Sequence, residues 1–366
     1  MRTSEALQVK IRQKEDIYKF PKIILWGAGF ALEDCINSIG RDKISAVFDN
    51  DPQKWNKTIQ GFEVRAPKEL NQYYDEHTAV VISANGYEYE IGRALTEKGV
   101  RAESLFGNSN QVVENYRYLP GVIDENYDNI LQVKDWLYDE ESKEYYLNFI
   151  KACLSRNPLF YKDNPLASGI YGYKANIDVE PAKGSIIADC GAFIGDSARI
   201  FLNKTDNDCT IYCFEPVKEN YNRLREWTEK NNLKNIFPVN SGVGASSYED
   251  KVYSTEEVTT KGAVGMNRFE AEKPVISKIK VDTIDNMIKG RVDYIKMDIE
   301  GFEMQALRGA ENTIKNNTPK MLISAYHKVT DMWEIPQYVR QVNSNYKVIL
   351  THQPHAPYEP EFIFVV

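Results

Sequence analysis

Two segments of this chain repeat one local grammar: a short β-branched run, a turn carrying glycines, a helix, and a second strand that stops on an acid. The first is KIILWGAGFALEDCINSI, from Lys22 to Ile39, followed by ISAVFDND with Asp49 near its end. The second is SIIADCGAFIGDSARIFL, from Ser185 to Leu202, followed by TIYCFEP with Glu215. A strand, a crossover helix and a parallel strand close up almost only as a right-handed unit of one sheet. Two such units, far apart in the chain, predict an α/β protein with two Rossmann-like parallel-sheet domains. At 366 residues there is room for both.

The first domain is expected over residues 1–115, where the strand TAVVISA and the helix YEYEIGRALTEKG complete the pattern. Residues 116–180 differ. They are rich in Asp, Glu, Tyr and Asn, and NILQVKDWLYDEESKEYYLNFIKACL has helical spacing before RNPLFYKDNP breaks it. This reads as a helical connector packed on the second domain. Its tyrosines, among them Tyr161, Tyr171 and Tyr173, suit sugar stacking and interdomain packing equally. The second domain, 181–366, runs through a less regular stretch around 253–272, the strand VDYIKMDIEG and the strand PKMLISAYH. It ends in a strand pair, YKVILTHQP and EPEFIFVV.

A net charge of −8 argues against a nucleic-acid backbone as main ligand. No apolar run reaches the roughly 18–20 residues that span a bilayer, and the N-terminus MRTSEALQVKIRQKED lacks an apolar signal core. Five scattered cysteines without a C-x-x-C pair read as reduced thiols of a cytoplasmic protein, not as disulfides or a zinc site.

In the second unit the turn reads Asp189-Cys-Gly191-Ala-Phe-Ile-Gly195-Asp196. The spacing D-x-G-x-x-x-G departs from the G-x-G-x-x-G that cradles a pyrophosphate. A phosphate-free ligand such as S-adenosylmethionine (SAM) fits it. Asp189 would lie near the SAM ammonium, and Gly191 would let the backbone approach the ligand. Glu215, about twenty residues after Gly195, would accept hydrogen bonds from both ribose hydroxyls.

The strand VDYIKMDIEGFE places Asp298 at its carboxyl end, where open α/β sheets hold their chemistry. Asp298 is the candidate base or positioning group for a substrate hydroxyl. Glu303 reads as a carboxylate favoured at a helix N-terminus. His327 ends the next strand and is the natural proton acceptor near neutral pH. No metal is expected, although Asp298, Glu300, His327 and His352 form a conceivable ligand set. His77 and His355 read as surface residues.

With these residues in view, the C-terminal two-thirds resembles the FkbM-type SAM-dependent methyltransferases. The likeness rests on IIADCGAFIGDSARIF with CFEPVKENYNRL, on VDTIDNMI with VDYIKMDIEGFEMQALRGAENTI, and on ISAYHKVTDMWEIPQYVRQVNSNYKVILTHQ. The connector phrase DEESKEYYLNFI fits as well. The resemblance implies a class I methyltransferase fold, a mostly parallel seven-stranded sheet with an antiparallel terminal strand. It implies methyl transfer, often to oxygen, on sugars, glycan precursors or secondary metabolites. It places Asp189, Gly191, Gly195 and Glu215 at SAM, Asn240 and Ser241 near the adenine, and Asp298 and His327 toward the acceptor.

In the first domain Gly27, Gly29 and Asp49 outline a dinucleotide turn, but Leu32 stands where the third glycine belongs. FDNDPQKWNKTIQGFEV resembles nucleotide-sugar-binding domains. The expectation is a nucleotide or nucleotide-sugar site there, against packing or homodimer formation. Two other functions stay open at this point: an NAD-dependent sugar oxidoreductase and a non-catalytic scaffold.

Overall fold

The computed structural model describes residues 2–84, 86–107, 120–162, 177–253, 275–353 and 356–366. Most of the irregular stretch 253–272, and with it Tyr171, Tyr173 and His355, lies outside them. The chain divides into two compact units. One comprises Met1–Lys134, Lys143–Pro165 and Pro354–Tyr358, the other Asp135–Ser142, Leu166–Gln353 and Glu359–Val366.

The first unit is built on β1 (Lys22–Trp26), β2 (Ile44–Phe48), β3 (Thr58–Ile59), β4 (Phe62–Arg65), β5 (Thr78–Ile82) and β6 (Leu105–Phe106). They lie in the order β3-β4-β2-β1-β5-β6, parallel except for the β3–β4 pair. The run IILW is apolar throughout because both faces of β1 are covered. Ile23 and Leu25 enter one core, Ile24 and Trp26 the other, as the strand's period of two demands.

The second unit carries β7 (Ser185–Cys190), β8 (Cys209–Phe214), β9 (Ile236–Val239), β10 (Gly242–Val243), β11 (Tyr248–Tyr253), β12 (Val275–Asp282), β13 (Tyr294–Met297), β14 (Lys320–Ser324), β15 (Lys347–His352) and β16 (Pro360–Val365). Seven of them form a sheet in the order β15-β16-β14-β13-β7-β8-β9, and β10-β12-β11 form a small second sheet. Only β16 runs against its neighbours in the large sheet. This is the α/β class and the class I methyltransferase layout that the sequence implied. The order places β13 between β7 and β14, so the tips carrying Asp189, Asp298 and His327 are adjacent.

The expected connector is helical, at Tyr127–Trp136 and Glu140–Ser155, but it does not pack on the second domain alone. Its later part clusters with the first unit. There Arg12 N–H donates to Leu154 O at 2.9 Å, and Arg156 Nε donates to Arg12 O at 3.1 Å. The short piece Asp135–Ser142 clusters with the second unit, where Ser142 Oγ donates to Leu350 O and Leu137 bridges to Val348. Among the described residues no helix is long and apolar enough to cross a membrane.

Candidate functional site

The turn after β7 contains three left-handed residues, Gly191 (φ 79°), Phe193 (φ 48°) and Gly195 (φ 89°), before the helix Asp196–Lys204 begins. Four of its amides are occupied. Gly191 and Ala192 donate to Phe214 O at 3.0 and 3.1 Å, Phe193 donates to Glu215 Oε2 at 3.0 Å, and Gly195 donates to Ala192 O. The turn is therefore not a nest of open N–H groups awaiting an anion.

The glycines answer first to the protein itself. A Cβ on Gly191 would lie 1.9 Å from the carbonyl oxygen of Asp298, and one on Gly195 would lie 2.8–2.9 Å from Trp227 and Leu224. Gly191 is bare because the tip of β13 passes against it. This replaces the expectation that its room serves a ligand.

Asp189 also differs from expectation. It is fully buried, so its carboxylate does not line a cleft. Ser197 Oγ donates to Asp189 Oδ2 at 2.6 Å, and Lys296 Nζ lies 3.7 Å from Oδ1 across the β7–β13 pairing. Lys296 Nζ also donates to Gly191 O at 2.9 Å. Burial pushes the Asp189 carboxyl up, with Lys296 and Ser197 pulling against it. Burial works against the charge on Lys296 too, but Asp189 and Asp298 raise it further and keep its proton in place. The pair is an internal brace that fixes the glycine turn against β13.

Glu215 follows β8, nearly buried. Its Oε1 accepts from Val217 N–H at 2.8 Å and its Oε2 from Phe193 N–H. Burial lifts its pKa to about 7 against these hydrogen bonds and that of Asn220. Asn240 Nδ2 donates to the carbonyls of Glu215 and Pro216, both at 3.0 Å, and so ties two strand tips together. Ser241 is buried, with its hydroxyl turned onto the carbonyls of Gly242 and Lys280. Of the expected adenine neighbours, only Asn240 is partly exposed.

Asp298 and His327 do meet. His327 Nε2 lies 3.5 Å from Asp298 Oδ1 and 3.6 Å from Glu300 Oε2. Its Nδ1 lies 2.9 Å from Glu303 Oε1. The ring is buried beside Tyr326, centroids 4.1 Å apart, and Tyr326 OH donates to Asp298 Oδ1 at 2.9 Å. Glu300 holds a left-handed φ of 56° ahead of Gly301, a strained conformation for a side-chain-bearing residue. Glu303 opens its helix as expected and accepts Ile299 N–H at 2.9 Å, but it is fully buried and also faces His327. That second role, and those of Tyr326 and Lys296, were missed. The signal for Tyr326 was its place beside His327 at a strand tip.

Burial alone would lower the His327 pKa. Glu303, Asp298 and Glu300 more than reverse this and lift it to about 9. Burial pushes Asp298 up, but Lys296, His327 and the Tyr326 hydroxyl hold it below the ordinary value. The three carboxylates thus favour the protonated ring, which runs against the expected role of His327 as proton acceptor and leaves Asp298 as the candidate acceptor. Asp298, Glu303 and His327 offer ligand atoms within 4.8 Å of one another. A cation held there would have to displace a ring proton of His327. His352 is buried elsewhere, its Nδ1 2.7 Å from Gln353 O, and His77 is exposed.

The His327 ring signal is expected to titrate near pH 9 in NMR, well above its ordinary 6.5. Because the folded value is the higher one, its stabilising contribution is complete below pH 6.5 and is lost as pH rises through 9. A midpoint under 7 would mean that the surrounding carboxylates are not charged together.

Residues 189–347 match the family model described as methyltransferase FkbM domain, and residues 19–106 match one described as C2185-like, N-terminal. No curated protein matches. Among solved structures, methyltransferase FkbM from Methylobacillus flagellatus KT is 18% identical, with 99% of this chain and 97% of that one covered at a TM-score of 0.72. Fibrillarin from Aeropyrum pernix, in complex with natively bound S-adenosyl-L-methionine, is 12% identical over 52% of this chain and 69% of its own, at a TM-score of 0.33. The first shares the fold across nearly the whole chain.

Proposed function

Since the second unit carries a methyltransferase FkbM domain, we propose that this chain moves the methyl group of SAM to a hydroxyl of a saccharide or similar small acceptor. The observation that carries the reading is the contact of Gly191 with Asp298, which sets the glycine turn directly against a carboxylate-bearing strand tip. A ligand held at the turn and a hydroxyl held at Asp298 would be neighbours.

The residues suit SAM. The turn has spent the amides of Gly191 and Ala192 on the Phe214 carbonyl of β8, that of Phe193 on Glu215 and that of Gly195 on Ala192, which fits a cofactor without phosphates and disfavours a dinucleotide. Glu215 accepts the amides of Phe193 and Val217 and a side-chain hydrogen bond from Asn220, which leaves about one of a carboxylate's four acceptor positions for a ribose hydroxyl. Gly195, Asp189 and Lys296 hold the turn's shape, and Asn240 is the polar group near the adenine end.

When bound, SAM supplies an electrophilic methyl on a sulfonium. The protein's share is alignment and proton handling. Asp298 accepts the hydroxyl proton of the acceptor and orients the oxygen for in-line attack. Tyr326 fixes Oδ1 of Asp298. His327, charged and held by Glu303, stays as counter-charge to the acidic cluster.

Calorimetric titration of SAM and S-adenosylhomocysteine tests the reading. Saturable micromolar binding is expected, with Glu215→Ala weaker by about 10–100-fold, the scale of losing hydrogen bonds to a charged group. Because an ionised Glu215 is the better acceptor for a ribose hydroxyl, wild-type affinity should fall as pH drops below about 7. No binding by the folded wild type, or tighter binding of NAD than of SAM at this site, sinks the proposal.

A further inference from the structure

The carboxyl ends of β1, β2 and β5 in the first unit frame a cavity of about 470 Å³, a size that suits a small molecule. Its two glycines are bare for different reasons. Gly27 is required by the chain, with φ 122° and a Cβ position 2.8 Å from Ser83 O. Gly29 has no positive φ and nothing within 4 Å of its Cβ position, and it lines the cavity. Its missing side chain is explained by open space in the pocket, not by packing. Phe30 and Tyr87, 69% and 56% exposed, stand at the same cavity.

The charges around it are lopsided. Among the described residues, Asp49, Asp51 and Glu90 line it against a single cation, Lys54. Lys54 Nζ is committed to Asp49 Oδ2 at 2.9 Å. Asp49 also accepts the amides of Ala28 at 2.7 Å and Asp51 at 2.8 Å. The acid that would bind a ribose diol in a dinucleotide site is thus engaged by its own chain. The carboxylates of Asp51 and Glu90 remain without a lining cation to balance them. A diphosphate entering here meets carboxylates and, among the described lining residues, no uncommitted cation, which counts against the expected nucleotide or nucleotide sugar.

We infer that this pocket binds an organic cation, a small molecule carrying an amine or a quaternary ammonium. Exposed aromatic faces attract a cation through the negative face of the ring, and the carboxylates add long-range attraction of the same sign. The apolar wall formed by Ile91 and Ala94 accepts its carbon frame.

Calorimetry on the full chain tests this with choline, its uncharged carbon isostere dimethylbutanol, and UDP-glucose. Choline should saturate, with the isostere weaker by about tenfold and UDP-glucose weaker than choline. Gly29→Trp places a large side chain in the cavity from a position with no positive φ and nothing within 4 Å, so it should abolish choline binding, and Gly29→Val should weaken it. Asp51→Asn with Glu90→Gln should weaken choline and leave the isostere unchanged. The inference is overturned by absent choline binding, by equal binding of the isostere, by choline binding that survives Gly29→Trp, or by UDP-glucose binding that Gly29→Trp removes.

Discussion

Asp298→Ala is expected to lower methyl transfer by about 10²–10⁴-fold, the usual yield of a positioned proton acceptor, while SAM still binds. The separation is possible because the residue does two jobs with different atoms. Its backbone maintains the cofactor turn, since Asp298 N–H donates to Cys190 O at 3.1 Å and its carbonyl packs on Gly191. Its side chain reaches the acidic cluster and Tyr326. Truncation removes only the second. Asp298→Asn is the sharper control, because it keeps the shape and an oxygen for the Tyr326 hydroxyl but lowers basicity. Turnover by Asp298→Asn near the wild-type rate would remove Asp298 as proton acceptor. Loss of SAM affinity along with turnover in both variants would give it a purely structural role. Full turnover is not available to a non-catalytic scaffold, so the wild-type rate itself decides that alternative.

What the sequence disclosed about this site was whatever is local in the chain. A strand, a turn and a helix within twenty residues leave a periodic trace, so the strand end was legible to within a residue of Cys190 and the helix start at Asp196, as was Glu215 at the next tip. Asp298 was legible just past a strand end for the same reason, whereas the strand read as ending on His327 stops at Ser324 and His327 follows in the loop. The cross-strand facts were not. Asp189 is buried because Lys296 lies beside it on β13, more than a hundred positions later. That neighbour depends on sheet order, which the local pattern does not encode. Gly191 was attributed to ligand approach for the same reason: the atom that excludes its Cβ belongs to Asp298. The charge on His327 needed three carboxylates around one ring, two of which, Glu300 and Glu303, read in sequence as a turn and a helix start. In the connector, helical spacing was visible, but which unit each helix buries against was not, because amphipathicity has no address.

Gly191→Ala should be the most damaging single-methyl change in the second unit, and its damage can be divided. An alanine at φ 79° carries backbone strain, and its Cβ would overlap the Asp298 carbonyl at 1.9 Å. Strain and overpacking together should cost about 3 kcal/mol or more, a melting-temperature loss of roughly 2–4 °C per kcal/mol for a unit of this size. Gly184 isolates the first contribution. Its φ of 77° is almost the same, but nothing lies within 4 Å of its Cβ position, so Gly184→Ala should lose only about 1 kcal/mol. The difference between the two variants measures the contact between the cofactor turn and the acceptor-side strand tip. Equal losses would mean that the two tips do not touch in solution, and the proposed alignment of methyl donor and hydroxyl would lose its structural basis. A large difference, with SAM affinity and turnover falling together in Gly191→Ala but only turnover falling in Asp298→Ala, would assign the turn to the cofactor and the carboxylate to the reaction.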